Sequence, residues 1–240
     1  MDELSKIVLY TLCAGACIPL GGLLASRRKI RPGWLETEFR HAVIAFGGGI
    51  LLAAVALILV PEGIGYIDHP VLSVLTFTLG GVCFFVVERL LGIKRREKPQ
   101  LMAMLLDFIP ESIALGGAFA IGAPSGPLLA FFIGLQNLPE GFNAYRELCA
   151  APQTKPGNVL VKMALLAPIG PVVALLGYFY VSQDTRFLGA IMLFASGGIL
   201  YLIFQDIAPQ SRMKSHWAPP LGAVFGFCVG MLGHNIIMGS

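Results

Sequence analysis

The charges of this chain fall in short clusters, and between the clusters lie apolar runs of about 20 residues, the length that crosses a bilayer as a helix. Inside a membrane the backbone must satisfy its own hydrogen bonds, so only helices or a closed barrel can span it. Barrel strands would alternate polar and apolar over about ten residues, and these runs do not. A soluble domain would carry roughly a quarter charged residues; this chain has 13%. The expected fold class is therefore an all-α polytopic membrane protein. Eight transmembrane helices are expected, at 7–26, 42–60, 70–92, 101–122, 126–148, 158–181, 186–209 and 217–237. Their connections are short, so residues 1–240 read as a single transmembrane domain with no soluble domain appended. The weak net positive charge, +3, gives no reason to expect a nucleic-acid partner.

The basic residues orient the chain. Arg27, Arg28, Lys29, Arg31 and Arg40 join spans 1 and 2, and Lys94, Arg95, Arg96 and Lys98 join spans 3 and 4. Arg146, Lys155 and Lys162 surround the 5–6 connection, and Arg212 and Lys214 the 7–8 connection. The opposite side has only Lys6 and Arg186. Short cytoplasmic loops carry the excess of Lys and Arg, so both termini are expected outside, in a multi-pass protein of the inner (plasma) membrane. Cysteines 13, 17, 83, 149 and 228 read as small buried residues rather than disulfides or metal ligands. The segment before Cys17 is acidic rather than basic, so span 1 reads as a retained helix.

Two stretches stand out against this background: Asp107-Phe-Ile-Pro-Glu111 and Gln136-Asn-Leu-Pro-Glu140. They are one motif written twice, each inside an apolar run. A carboxylate at mid-membrane costs at least about 2.5–3.5 kcal/mol and marks a functional site by default. Residues four apart share a helix face, so Asp107 and Glu111 point one way, as do Gln136 and Glu140. The tight turn Gly122-Ala-Pro-Ser-Gly126 makes spans 4 and 5 antiparallel neighbours, which brings all four side chains to similar depth. Pro110 and Pro139 cannot donate to the carbonyls of Leu106 and Leu135, which adds oxygens there. Three carboxylates cannot stay ionised at that depth without compensation, and a divalent cation supplies it. The oxygen-only set Asp107, Glu111, Gln136 and Glu140 suits hard or borderline cations, and without histidine or thiolate its hold on zinc is moderate. Moderate affinity suits transport, because the ion must leave. Proton exchange at the same carboxylates would link metal release to pH.

Other features are secondary. Span 2 is expected to end at Pro61-Glu62-Gly63, where Glu62 and Asp68 read as outer loop charges or as an acidic mouth for cations. His41 reads as an interface residue, with an ion path as the alternative. Asp206, near the inner end of span 7, reads as an exit or gating group or as an interfacial carboxylate. Pro168-Ile-Gly-Pro171 should break span 6. Gly222, Gly226 and Gly230 make a packing stripe, for the fold or for a homodimer. Gly47-Gly-Gly-Ile-Leu51 resembles Ser196-Gly-Gly-Ile-Leu200, and the two enter the membrane from opposite sides. Spans 1–3 and 6–8 are therefore expected to form an inverted repeat around spans 4 and 5, a usual setting for a midplane transport site.

At the paired Pro-Glu motifs the sequence resembles the ZIP family of divalent-metal transporters (zinc- and iron-regulated-transporter-like proteins), and the likeness extends over the whole chain. The resemblance implies eight spans in a 3+2+3 arrangement, with a metal site between helices 4 and 5. It further implies transport of zinc, iron or manganese into the cytoplasm by alternating access, with no tightly bound cofactor. Asp107 stands where the family has histidine, Phe108 where it has asparagine, and Ser112 where it has glycine. Gln136, Asn137, Pro139, Glu140 and Gly141 match. Gly170 stands where the family often has a glutamate. The family's second metal position is therefore expected to be lost, leaving one site with Asn137 peripheral to it. The 3–4 connection lacks a histidine-rich insertion, so no loop metal sensor is expected. The alternative is a non-transporting, ZIP-like metal-binding or regulatory subunit. An intramembrane aspartyl protease would need two positioned aspartates, and only Asp107 lies mid-span, so no enzyme activity is expected.

Overall fold

The structure is a computed structural model that describes residues 2–27, 34–92, 99–150, 154–181, 184–213 and 217–239. The regular structure in these residues is helical, with no strand. The helices are α1 (Glu3–Arg27), α2 (Trp34–Ala54), α3 (Val60–Ile67), α4 (Pro70–Gly92), α5 (Pro99–Ala120), α6 (Gly126–Ala150), α7 (Pro156–Ala164), α8 (Ile169–Leu176), α9 (Thr185–Leu202), α10 (Ala208–Ser211) and α11 (Leu221–Met238). Wide π-turns at Val55–Leu59, Gly177–Val181 and Ile203–Ile207 join α2 to α3, extend α8, and join α9 to α10. Six of the resulting rods among the described residues are long and apolar enough to cross a membrane. The chain is thus an all-helical, multi-pass membrane protein. The remaining two rods, α5 and α6, are the ones that carry the Pro-Glu motifs.

One boundary differs from expectation for a physical reason. Span 2 does not stop at Pro61. The π-turn at Val55–Leu59 precedes it, and the helix resumes and runs to Ile67, where Asp68 ends it in the left-handed conformation (φ 49°). A π-turn holds an extra residue and loosens the i−4 ladder, which accommodates a proline that has no N–H to give. Pro209 stands in the same relation to the π-turn at Ile203–Ile207. Span 6 breaks as its prolines require: α7 stops at Ala164, tight i−3 bonds carry the chain from Leu166 to Ile169, and α8 begins there.

The core sits around α6, which is buried along almost its whole length. It packs on α1, α2 and α5. The α1–α6 crossing is close because glycine faces backbone on both sides. A Cβ on Gly141 would lie 2.3 Å from the Ile18 carbonyl oxygen, and one on Gly21 would lie 2.1 Å from that of Leu138. Small residues permit such approach where lipid offers no competing hydrophobic drive. The stripe on α11 serves the fold: Gly222 and Gly226 meet the Ala42 and Phe46 carbonyls, and Gly230 meets Ala53, all on α2. In the same way α4 packs on α9, and α5 on α8 and the π-turn that extends it.

Several basic ends gather at one end of the bundle. Arg27 shares a groove with Phe39 and Phe142, and His41 is tied to α10 through the Gln210 carbonyl. Arg28, Lys29, Arg31, the Lys94–Lys98 cluster and Lys214 lie outside the described residues, as does the connection expected to lack a metal sensor.

Candidate metal site

Helices α5 and α6 are antiparallel because the turn between them is tight. Gly122 takes a positive φ of 68°, and Gly122 and Ala123 bond back to Phe119 and Ala118. The register is fixed by one contact in mid-bundle: Gln136 Nε2 donates to Glu111 Oε2. With Glu111 opposite Gln136, an antiparallel pair places Asp107 opposite Glu140, one turn away on each helix. The sequence therefore contributes two layers, one pairing a carboxyl with an amide and the other pairing two carboxyls.

All four side chains are buried: Glu111 is 0% exposed and Glu140, the most open, 5%. The three carboxyl groups are close enough to act on one another electrostatically, and no basic side chain among the described residues acts on them. Asp107 Oδ1, Glu111 Oε1, Gln136 Oε1 and Glu140 Oε2 have no hydrogen-bond partner among the described residues. A buried polar atom left unpaired costs about 1–3 kcal/mol, more when charged. Four such oxygens on two facing helices are acceptors that a cation would satisfy and a neutral core would not need. As the side chains stand, no group of three or more His, Cys, Asp or Glu among the described residues is arranged to hold a metal ion.

The other candidate residues lie around this cluster. Asn137 is buried on α6, but its Nδ2 donates to the Ala14 carbonyl of α1 at 2.9 Å. It ties the two helices together. Phe108 is buried too, and its ring tip lies 2.8 Å from where a Cβ on Gly170 would be, with the Thr11 carbonyl 3.1 Å away. Two of the residues that depart from the ZIP pattern, Phe108 and Gly170, thus occupy one place: the ring fills the space that the missing side chain leaves.

Asp206 is half-buried on the π-turn at Ile203–Ile207. Glu62 is half-buried inside a helix, with Ser125 of the α5–α6 turn nearby, rather than on a solvated loop. Asn143 is a polar residue that the motif reading passes over. It is 2% exposed, one turn beyond Glu140, with Nδ2 bonded to the Pro139 carbonyl at 3.0 Å and Oδ1 unpaired. The signal for it lies in the spacing, since positions 136, 140 and 143 share one helical face. Compared with known proteins, the chain matches no family model and no curated sequence.

Proposed function

We propose that this chain carries a divalent transition-metal cation across the membrane into the cytoplasm, through a single oxygen-rich position between α5 and α6. The observation that carries this reading is the set of unpaired oxygens on Asp107, Glu111, Gln136 and Glu140, buried with no basic partner among the described residues. Structural carboxylates in a membrane are paired with cations or hydrogen-bond donors; here one oxygen of Glu111 has a donor, while Asp107 and Glu140 face each other. An arriving ion replaces the Gln136–Glu111 bond with two ligand bonds and bridges the Asp107–Glu140 layer. Zinc, iron and manganese all suit oxygen donors, and the absence of histidine argues against strict zinc selectivity.

Packing supports an inverted repeat around the central pair. Exchanging spans 1, 2, 3 and 4 for 6, 7, 8 and 5 turns each main contact into another. The packing of α4 on α9 becomes that of α11 on α2, and that of α1 on α6 becomes that of α8 on α5. The π-turn with a proline just beyond it occurs once in each half, at Pro61 and Pro209. With the basic connections inside, this arrangement has eight crossings and both termini outside. Movement of the surrounding helices relative to the central pair can then open the site to one side at a time.

The second reading, a non-transporting metal-binding subunit, is favoured by one observation: the Gln136–Glu111 bond closes part of the site on itself. Uptake of Mn²⁺, Fe²⁺ and Zn²⁺ into proteoliposomes decides between them. Wild type takes up metal, and Glu111→Ala and Glu140→Ala do not. Normal transport by either variant removes the site assignment. Metal-dependent stabilisation without uptake selects the second reading.

A further inference from the structure

Glu140 borders a small cavity that the central cluster does not account for. Its walls are Pro139, Glu140 and Asn143 of α6, Gly47 and Gly48 of α2, and Ile207 of the π-turn, and its volume is about 10 Å³. That is about one water-sized sphere, enough for a nearly bare ion and too little for a hydrated one. The polar groups facing it are unusual for so dry a place. Asn143 is buried, and because the Pro139 carbonyl can only accept, the amide nitrogen must face it. The amide oxygen is therefore the free end, and it has no partner among the described residues, like Glu140 Oε2. Gly47 and Gly48 leave the room: a Cβ on Gly48 would lie 2.6 Å from Ile207 Cγ2. α6 runs toward the basic end of the bundle, so Asn143 is one turn closer to that end than Glu140.

We propose that this cavity is a second cation position on the cytoplasmic side of Glu140. There an ion leaving the central cluster is held between Glu140 and Asn143 Oδ1 before it passes Ile207. This rests on the transport reading above. Glu140 is shared by both positions, so the ion moves inward without losing its charged ligand, exchanging Asp107 for a neutral amide oxygen. A neutral oxygen holds a hard or borderline cation more weakly than a carboxylate does, which favours release. Ile207 packs on Gly48 where the π-turn meets α2, so a shift at that contact uncovers the cavity.

The test uses the full chain and Mn²⁺ alone, with equilibrium binding and proteoliposome uptake measured side by side. Asn143→Ala binds Mn²⁺ at the central cluster as wild type does, and its uptake rate falls about tenfold, the effect of one supporting ligand. Asn143→Asp, nearly isosteric, keeps the oxygen and adds charge. It binds Mn²⁺ more tightly, because ligand charge raises the affinity of an oxygen site for a hard cation, and transports it more slowly than wild type. A role limited to the Pro139 bond cannot raise metal affinity, so Asn143→Asp carries the test even where Asn143→Ala does not fold. Wild-type uptake by Asn143→Ala, or wild-type affinity in Asn143→Asp, overturns this inference alone. A wild type that neither binds nor takes up Mn²⁺ overturns it together with the transport reading.

Discussion

Replacing Asp107 by asparagine should stabilise the metal-free protein while removing its response to metal. In the wild type, Asp107 faces Glu140 across α5 and α6, both are buried, and Asp107 Oδ1 and Glu140 Oε2 lack partners among the described residues. Asparagine is isosteric and brings a donor, so Glu140 Oε2 gains a hydrogen bond and one of the opposed acids is gone. Satisfying one buried acceptor is worth about 1–3 kcal/mol. At about 2–4 °C per kcal/mol for a chain of this size, that raises the unfolding temperature by roughly 2–12 °C. Saturating metal should stabilise the wild type by about 2.7 kcal/mol at a hundredfold excess over its Kd, and most of this gain should vanish in the variant. The assay is thermal unfolding in detergent or nanodiscs, with and without Mn²⁺ or Zn²⁺. The two curves should cross: the variant more stable without metal, the wild type at least its equal with it. A variant less stable than wild type without metal, or one that keeps the full metal-dependent shift, would mean that the opposed carboxyls are not the ligand layer.

The same packing sets three further outcomes. Gly170→Ala should cost about 1–3 kcal/mol as an overpacking substitution, because its Cβ would meet the Phe108 ring at 2.8 Å. Phe108→Leu should recover most of that loss, read as a coupling in a double-mutant cycle. Gly141→Ala should be far less tolerated, since its Cβ would meet the Ile18 carbonyl at 2.3 Å and a backbone cannot step aside as a ring tip can; loss of folded protein in size-exclusion chromatography checks it. Asn137→Ala should cost about 0.5–1.5 kcal/mol for the bond to the Ala14 carbonyl and leave the order of metal preference unchanged in competition uptake.

Periodicity and local chemistry carry the legible part of this fold. Apolar length locates the helical segments, and the Gly122–Gly126 turn makes α5 and α6 antiparallel. The i, i+4 spacing alone places Asp107 beside Glu111 and Gln136 beside Glu140. The end of span 2 is different, because Pro61 reads as a stop and is not one. Whether a proline stops a helix depends on the turn before it, and no single residue announces that Val55–Leu59 will widen into a π-turn. The same widening before Pro209 has no local sequence in common with it, since Ile203-Phe-Gln-Asp-Ile207 does not resemble Val55-Ala-Leu-Ile-Leu59.

The central site divides along the same line. Donor types and their facing are legible because they depend on residue identity and helical phase. Their pairing is not: Glu111 meets Gln136, a contact that depends on the register of α5 against α6 rather than on either motif alone. The Phe108–Gly170 contact shows what a motif comparison can and cannot supply. Each residue alone reads as a lost ligand. Together they read as one packed unit, since the ring lies where a side chain on residue 170 would have to be. Restoring a polar residue at either position alone would therefore bury an unpaired group or collide with the ring, so a polar pair at this place requires both changes at once.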